Sequence, residues 1–235
     1  MDIEVLDDVP AVARRAAEVI AADARAACAV RGRFVLAVSG GRTPWMMLRA
    51  LADQDVPWAG VHLAQVDERV APAGHADRNL THLAESLLGR APLRPDQIHA
   101  MPVELADLED AVARYSATLR DIAGAPPLLD LVHLGLGADG HTASLVPGDP
   151  VLGIGTADVG VTGPYEGRRR MTLTYPIVNR ARRILWVVTG AEKAAMLTRL
   201  RDGDPSIPAG RVRQDLAVVL ADRAAAAALS PTAGT

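Results

Sequence analysis

Two apolar rhythms alternate along this chain. Short, mostly apolar runs over 33–38, 61–66, 128–134, 184–188 and 216–220 predict buried strands, with a weaker one over 98–101. Longer stretches with helical spacing separate them, over 9–30, 44–51, 79–88, 104–123 and 191–200, and an Ala-rich helix is expected to run through Leu229. Asp7 and Asp8 precede Pro10, an acidic start that suits a helix N-terminus. Residues 171–175 alternate apolar and polar, which suits a sheet edge. Residues 230–235 are expected to fray.

Strands that are apolar throughout, each followed by a helix, imply an α/β fold. Its sheet is Rossmann-like and mostly parallel, with helices on both faces. No linker or repeat divides the chain, so residues 1–235 are expected to form a single domain. One segment stands apart. Residues 148–167 hold six Gly and two Pro and predict a surface excursion or small hairpin after the glycine-rich turn.

In open α/β sheets ligands bind beyond the carboxyl ends of the strands. Four polar clusters fall just there. They are Ser39-Gly40-Gly41-Arg42-Thr43-Pro44, Asp67-Glu68-Arg69, Asp139-Gly140-His141 and Gly190-Ala191-Glu192-Lys193. The first suits phosphate. Gly40 and Gly41 let backbone N–H groups face an anion, Thr43 adds a hydroxyl, and the following helix offers its positive end. His141 sits beside Asp139 in a glycine turn, where imidazole is the side chain suited to proton transfer near neutral pH. Lys193 opens a helix, against the dipole, which a bound anion would reverse. Of Arg168, Arg169 and Arg170, the last lies nearest a strand and so nearest a site.

Composition narrows the choices. Aromatic residues make up 3% of the chain and the net charge is −3, which argues against nucleic acid and against an anionic membrane. An anionic ligand therefore needs a local group of cations. Of 25 basic residues only Lys193 is lysine, which draws notice to that position. A single cysteine, Cys28, excludes an internal disulfide and suits a reducing cytoplasm, and it reads as a small buried apolar residue. No signal sequence is expected, and no apolar run is long enough to span a bilayer. His133 and His62 read as hydrogen-bonded core residues, and His75, His82 and His99 as surface ones. No pair has a metal-ligand spacing, so no metal is expected.

Gly135-Leu136-Gly137-Ala138-Asp139-Gly140 also matches the dinucleotide fingerprint Gly-x-Gly-x-x-Gly. That use requires a helix to start at the turn, and Pro147, Gly148 and Pro150 forbid one, so no nucleotide cofactor is expected. Ser39 lies in Val-Ser-Gly-Gly, not in the Gly-x-Ser-x-Gly elbow of a serine hydrolase.

Taken in order, VSGGRTP, VDERVAPAGHADRN, LGLGADGHTASLVPG, RMTLTYP and VTGAEKAAML resemble the 6-phosphogluconolactonase family, over about residues 7–229. The family shares a Rossmann-like sheet with glucosamine-6-phosphate deaminase. Two positions depart from its pattern. Arg42 replaces a serine, where it either adds a phosphate contact or points outward. Arg78 stands where serine is frequent, before Asn79. A third separates the two activities: the deaminase carries a glutamate seven residues after the turn aspartate, and here that position is Val146.

The resemblance implies hydrolysis of 6-phospho-D-glucono-1,5-lactone in the oxidative pentose phosphate pathway, in the cytoplasm and without a cofactor. His141 would activate water, and Asp139 would either orient the imidazole or hold a sugar hydroxyl. Asp67, counted as catalytic beside them, would line the same pocket with Arg69 and Asn79, with Arg69 available to the phosphate or to the developing oxyanion. Gly40, Gly41, Arg42, Thr43, Arg170 and Lys193 would hold the phosphate. The expected partner is this small sugar phosphate lactone, and the chain is expected as a monomer or weak homodimer. The alternatives are an aldose–ketose isomerase or deaminase, and a sugar-phosphate binder without turnover.

Overall fold

The computed structural model describes residues 1–229; the expected tail at 230–235 lies outside the described residues. Seven strands form one parallel sheet: β1 (Asp2–Leu6), β2 (Phe34–Val38), β3 (Val61–Gln65), β5 (Ile98–His99), β6 (Leu131–Leu134), β9 (Ile184–Val188) and β10 (Ala217–Asp222). Their order is β1-β10-β9-β6-β2-β3-β5, and every pairing is parallel. β1 was not expected. It is an edge strand in which Asp2 and Glu4 interrupt the apolar pattern, and half-exposed Val5 shows that it needs no unbroken apolar run.

β2, β6 and β9 are wholly buried because helices cover both faces of the sheet. Side chains alternate between the faces with the strand period of two. Along β2, Phe34, Leu36 and Val38 pack under α1 (Val9–Arg31) and α2 (Arg42–Ala52), while Val35 and Ala37 join the opposite core with α4 (Leu108–Ala123), α5 (Tyr175–Arg180) and α6 (Ala194–Arg201). The scarcity of aromatics is met by Ala: α1 buries Ala13, Ala16, Ala17, Ala21, Ala24 and Ala27, which brings the helix close to the sheet. Asp8 caps α1, its carboxylate accepting from Ala11 N at 2.8 Å.

A second sheet of three antiparallel strands, β4 (Asp67–Arg69), β8 (Arg170–Leu173) and β7 (Val159–Val161), grows from the carboxyl end of β3. Residue Val66 joins the two sheets, giving its N–H to Val38 O and its carbonyl to Leu173 N. β8 is thus the middle strand of this sheet, not an edge of the main one. The glycine-rich stretch supplies β7 and a hairpin.

Helix boundaries moved where local hydrogen bonds outcompeted the apolar pattern. α4 starts at Leu108 because Asp107 caps it through Glu109 N and Asp110 N. The helix expected over 79–88 is a short α3 (Asn79–Leu83) continued by one wide π-type turn. Lys193 closes a 3₁₀ turn before α6. The Ala-rich C-terminal helix reduces to the 3₁₀ turn Ala225–Ala228, which the Asp222 carboxylate opens by accepting from Ala225 N as well as from Gly190 N. Among the described residues no helix is long and apolar enough to cross a membrane.

His133 in β6 is fully buried, as expected, and its Nδ1 accepts from Ser39 N at 3.3 Å. His62 is not a core residue: it is part-buried and stacks on His99 at 5.3 Å. Cys28 is likewise only part-buried. Burial pushes His133 down to about 3, whereas an unfolded histidine protonates near about 6.5. The folded chain therefore carries no penalty above that unfolded value, and a growing one as pH falls from it toward the folded value. The unfolding temperature of the wild-type protein should fall over this interval, and His133→Asn should flatten that slope. Parallel slopes would contradict a neutral buried His133.

Candidate active site

The strand order reverses between β2 and β6. From β2 the chain proceeds outward through β3 and β5, and from β6 through β9 and β10. Ser39-Gly40 leaves one side of this switch point, and Gly135 to His141 leaves the other, so a crevice must open between them. It does. A cleft of about 160 Å³ is lined by Gly40, Asp67, Arg69, Asn79, His141, Arg170 and Lys193, together with Ser39, Gly135, Leu136, Gly137 and Ala143. Seven predicted site residues from five chain segments thus share one cavity.

His141 Nδ1 lies 2.6 Å from Asp139 Oδ1, and His141 N donates to the same oxygen at 3.1 Å. The carboxylate can only accept, so the proton sits on Nδ1 and the Nε2 lone pair is left free. Burial alone would push the Asp139 carboxyl up. The backbone N–H and ring of His141 outweigh it, and the carboxyl sits below its ordinary value. Asp139 does not itself line the cleft. Gly137 is required by this pair, because a Cβ there would overlap the imidazole and the Asp139 carboxylate. The decoy fingerprint is therefore a cradle for two side chains, and the first helical turn after it is the 3₁₀ turn Pro150–Gly153.

Asp67 is buried and already satisfied. Its Oδ2 accepts from Ser144 Oγ at 2.7 Å, and Oδ1 from Asn79 Nδ2 at 3.3 Å and Ser39 Oγ at 3.4 Å. Asn79 also accepts from Arg69 at 2.9 Å. Gly40 lies so close to Asn79 that a Cβ would overlap the amide. Beneath them Glu68, fully buried, accepts from the backbone of Arg69, Asn79 and Leu80 at 2.7, 2.8 and 2.8 Å. Arg78 lies 3.1 Å from that carboxylate and 2.6 Å from Glu104. The unusual arginine thus balances a buried acid that aims Arg69 and Asn79. Sequence reasoning named Glu68 only as part of a polar cluster.

Arg69 and Arg170 are direct cross-strand partners in the small sheet. Like charges so placed repel. Each also keeps a buried Nε–H without a partner, a group that ordinarily demands an acceptor. Arg170 is 4% exposed and pairs with Glu166 at 2.7 Å. Lys193 is part-buried and has no ion pair among the described residues, with Glu192 or otherwise. The wall is cationic and under-neutralised.

The first loop divides. Gly41, Arg42 and Thr43 line an adjoining cleft of about 530 Å³ that shares Gly40, Gly135, Leu136 and Lys193 with the first. The Thr43 hydroxyl is 2.7 Å from that of Thr189, and Arg42 is exposed. One feature carried no motif signal: Tyr165, at the hairpin tip, places its hydroxyl 3.3 Å from Asp139 Oδ2. No group of three or more His, Cys, Asp or Glu among the described residues could hold a metal ion.

Residues 7–220 match the family described as glucosamine-6-phosphate isomerases/6-phosphogluconolactonase. The chain belongs to this family. A 6-phosphogluconolactonase from Synechocystis is 37% identical over 195 residues, 81% of each chain. The crystal structure of 6-phosphogluconolactonase from Thermotoga maritima superposes with a TM-score of 0.84 at 29% identity, covering 94% of this chain and 98% of that one. A monomeric glucosamine-6-phosphate deaminase also superposes with a TM-score of 0.84, at 18% identity over 97% of this chain and 100% of that one. At that identity the likeness speaks for the fold alone.

Gly137→Ala should displace the His141 ring while leaving the sheet intact. In proton NMR the Asp139–His141 Nδ1–H resonance should shift or vanish with little change in unfolding temperature. An unaltered resonance would contradict the cradle.

Proposed function

We propose that this protein hydrolyses 6-phospho-D-glucono-1,5-lactone to 6-phosphogluconate in the oxidative pentose phosphate pathway, in the cytoplasm. The observation that carries this reading is the shared cleft, in which an imidazole with a free Nε2 faces the same cavity as Arg69, Arg170 and Lys193. An ester carbonyl is already electrophilic, so the reaction needs a positioned base and no covalent nucleophile. The Nε2 of His141 takes a proton from water as the water oxygen bonds to C1. The carbonyl electrons move to its oxygen, which the neighbouring cations stabilise. When that oxyanion collapses, the bond from C1 to the ring oxygen breaks and the imidazolium returns the proton to the leaving oxygen.

Asp139 fixes the tautomer and orientation of His141. With both oxygens engaged, Asp67 anchors Ser39, Asn79 and Ser144 rather than carrying protons. The phosphate is taken by Lys193 and Arg170 beside the Gly40–Thr43 bend, where the two clefts meet, which leaves Arg69 for the oxyanion. Holding that end sets the distance of C1 from His141. Deamination is disfavoured because buried Val146, where the deaminase has a glutamate, has no proton to relay.

A coupled assay with spontaneous hydrolysis subtracted tests the reading. Lactone turnover without release of ammonia from glucosamine 6-phosphate is expected; the reverse pattern would overturn it. His141→Ala should lower kcat by roughly 10²–10⁴, and near wild-type turnover would remove the imidazole from the mechanism. Lys193→Ala should chiefly raise KM, and an unchanged KM would return that lysine to the solvent.

A further inference from the structure

The hairpin between β7 and β8 ends in a tight two-residue turn. Tyr165 and Arg168 exchange backbone hydrogen bonds of 2.9 and 3.2 Å across Glu166 and Gly167, both with positive φ, +50° and +79°. This is the turn that matches strand twist in hairpins. The tip is pinned on two sides. Arg168 pairs with Asp77 and approaches His75 at 3.2 Å, and Glu166 pairs with Arg170.

So held, Tyr165 reaches three groups at once. Its hydroxyl donates to Asp139 Oδ2 at 3.3 Å. Its ring meets the His141 imidazole edge-on at 5.6 Å, and the Arg170 guanidinium lies 4.8 Å from the ring centroid. We propose that Tyr165 is a positioning residue, which locks the Asp139 carboxylate in the orientation that aims His141 and ties this pair to the anion-binding Arg170. Its catalytic consequence rests on the lactonase reading, but the positioning does not depend on the substrate.

The two oxygens of Asp139 do different work. Oδ1 engages His141, which alone leaves the carboxylate plane free to turn. A donor on Oδ2 removes that freedom. It also draws charge away from Oδ1, so that the carboxylate stabilises the imidazolium less than a free carboxylate would. Tyr165 remains a donor at neutral pH because burial, and then the Asp139 charge, both push its phenol up. The other charges facing the pair are Arg170 and Glu166 beside the hairpin and Asp67, Arg69 and Lys193 across the cleft.

The test is an NMR titration of the His141 ring in the wild-type protein and in Tyr165→Phe, with His141→Asn supplying the assignment. Loss of the hydroxyl should raise the proton affinity of His141 roughly threefold, the size of a modest, partly solvated hydrogen bond. On the lactone, Tyr165→Phe should lower kcat roughly three- to tenfold with KM unchanged, and the acid limb of the kcat/KM profile should move to higher pH. Tyr165→Ala should in addition raise KM about two- to fivefold as Arg170 loses the aromatic face. An His141 titration identical in the wild-type protein and Tyr165→Phe would overturn the proposal, whatever the turnover. Failure of the wild-type protein to turn over lactone would instead overturn the lactonase reading, with the titration still deciding Tyr165.

Discussion

A parallel sheet points all of its strands the same way, and this single constraint organises the molecule. Loops after β2, β3, β6 and β9 emerge along one edge, although the residues they carry lie up to about 150 positions apart in the chain. The reversal of strand order between β2 and β6 then opens a crevice that no helix can fill. Hydrophobic burial on both faces fixes the strands, and the strands fix the edge. The polar chemistry follows from geometry set by Val, Leu and Ala.

That edge gathers positive charge on a chain that is acidic as a whole. Arg69 and Arg170 face each other across two strands, and Lys193 closes the ring. Such a cluster is unfavourable when empty, and the protein manages it in two ways. Buried Glu68 and Arg78, with exposed Glu104 at the outer end, form a network below, which holds Arg69 by its backbone rather than by its charge. Glu166 pairs with Arg170 from the exposed hairpin, where solvent screens the interaction and a ligand dianion can compete with it. The Asp139–His141 pair sits apart from this balance, joined to it through Tyr165.

Much of this was legible in the residues. Predominantly apolar runs located the buried strands, because a strand covered on both faces has little room for a polar side. The glycine turn located the imidazole, because Gly137 must lack a Cβ for Asp139 and His141 to meet. What escaped notice depends on partners distant in sequence. β1 is a strand only because β10 is beside it. Arg78 looked anomalous until buried Glu68 accounted for its charge. Tyr165 lies in a stretch read as an excursion, and its relation to Asp139 spans 26 residues with no periodic signal. The C-terminal alanines have helical propensity, yet they form only the 3₁₀ turn Ala225–Ala228.

In the lactonase reading one cleft grips a sugar phosphate at its cationic wall and presents the other end to His141. A crystal structure of the protein with 6-phosphogluconate tests it most directly. The phosphate should lie against Lys193 and Arg170, with the C1 carboxylate within hydrogen-bond distance of His141 Nε2. A product molecule bound in the reverse sense, or outside the cleft altogether, would contradict the account.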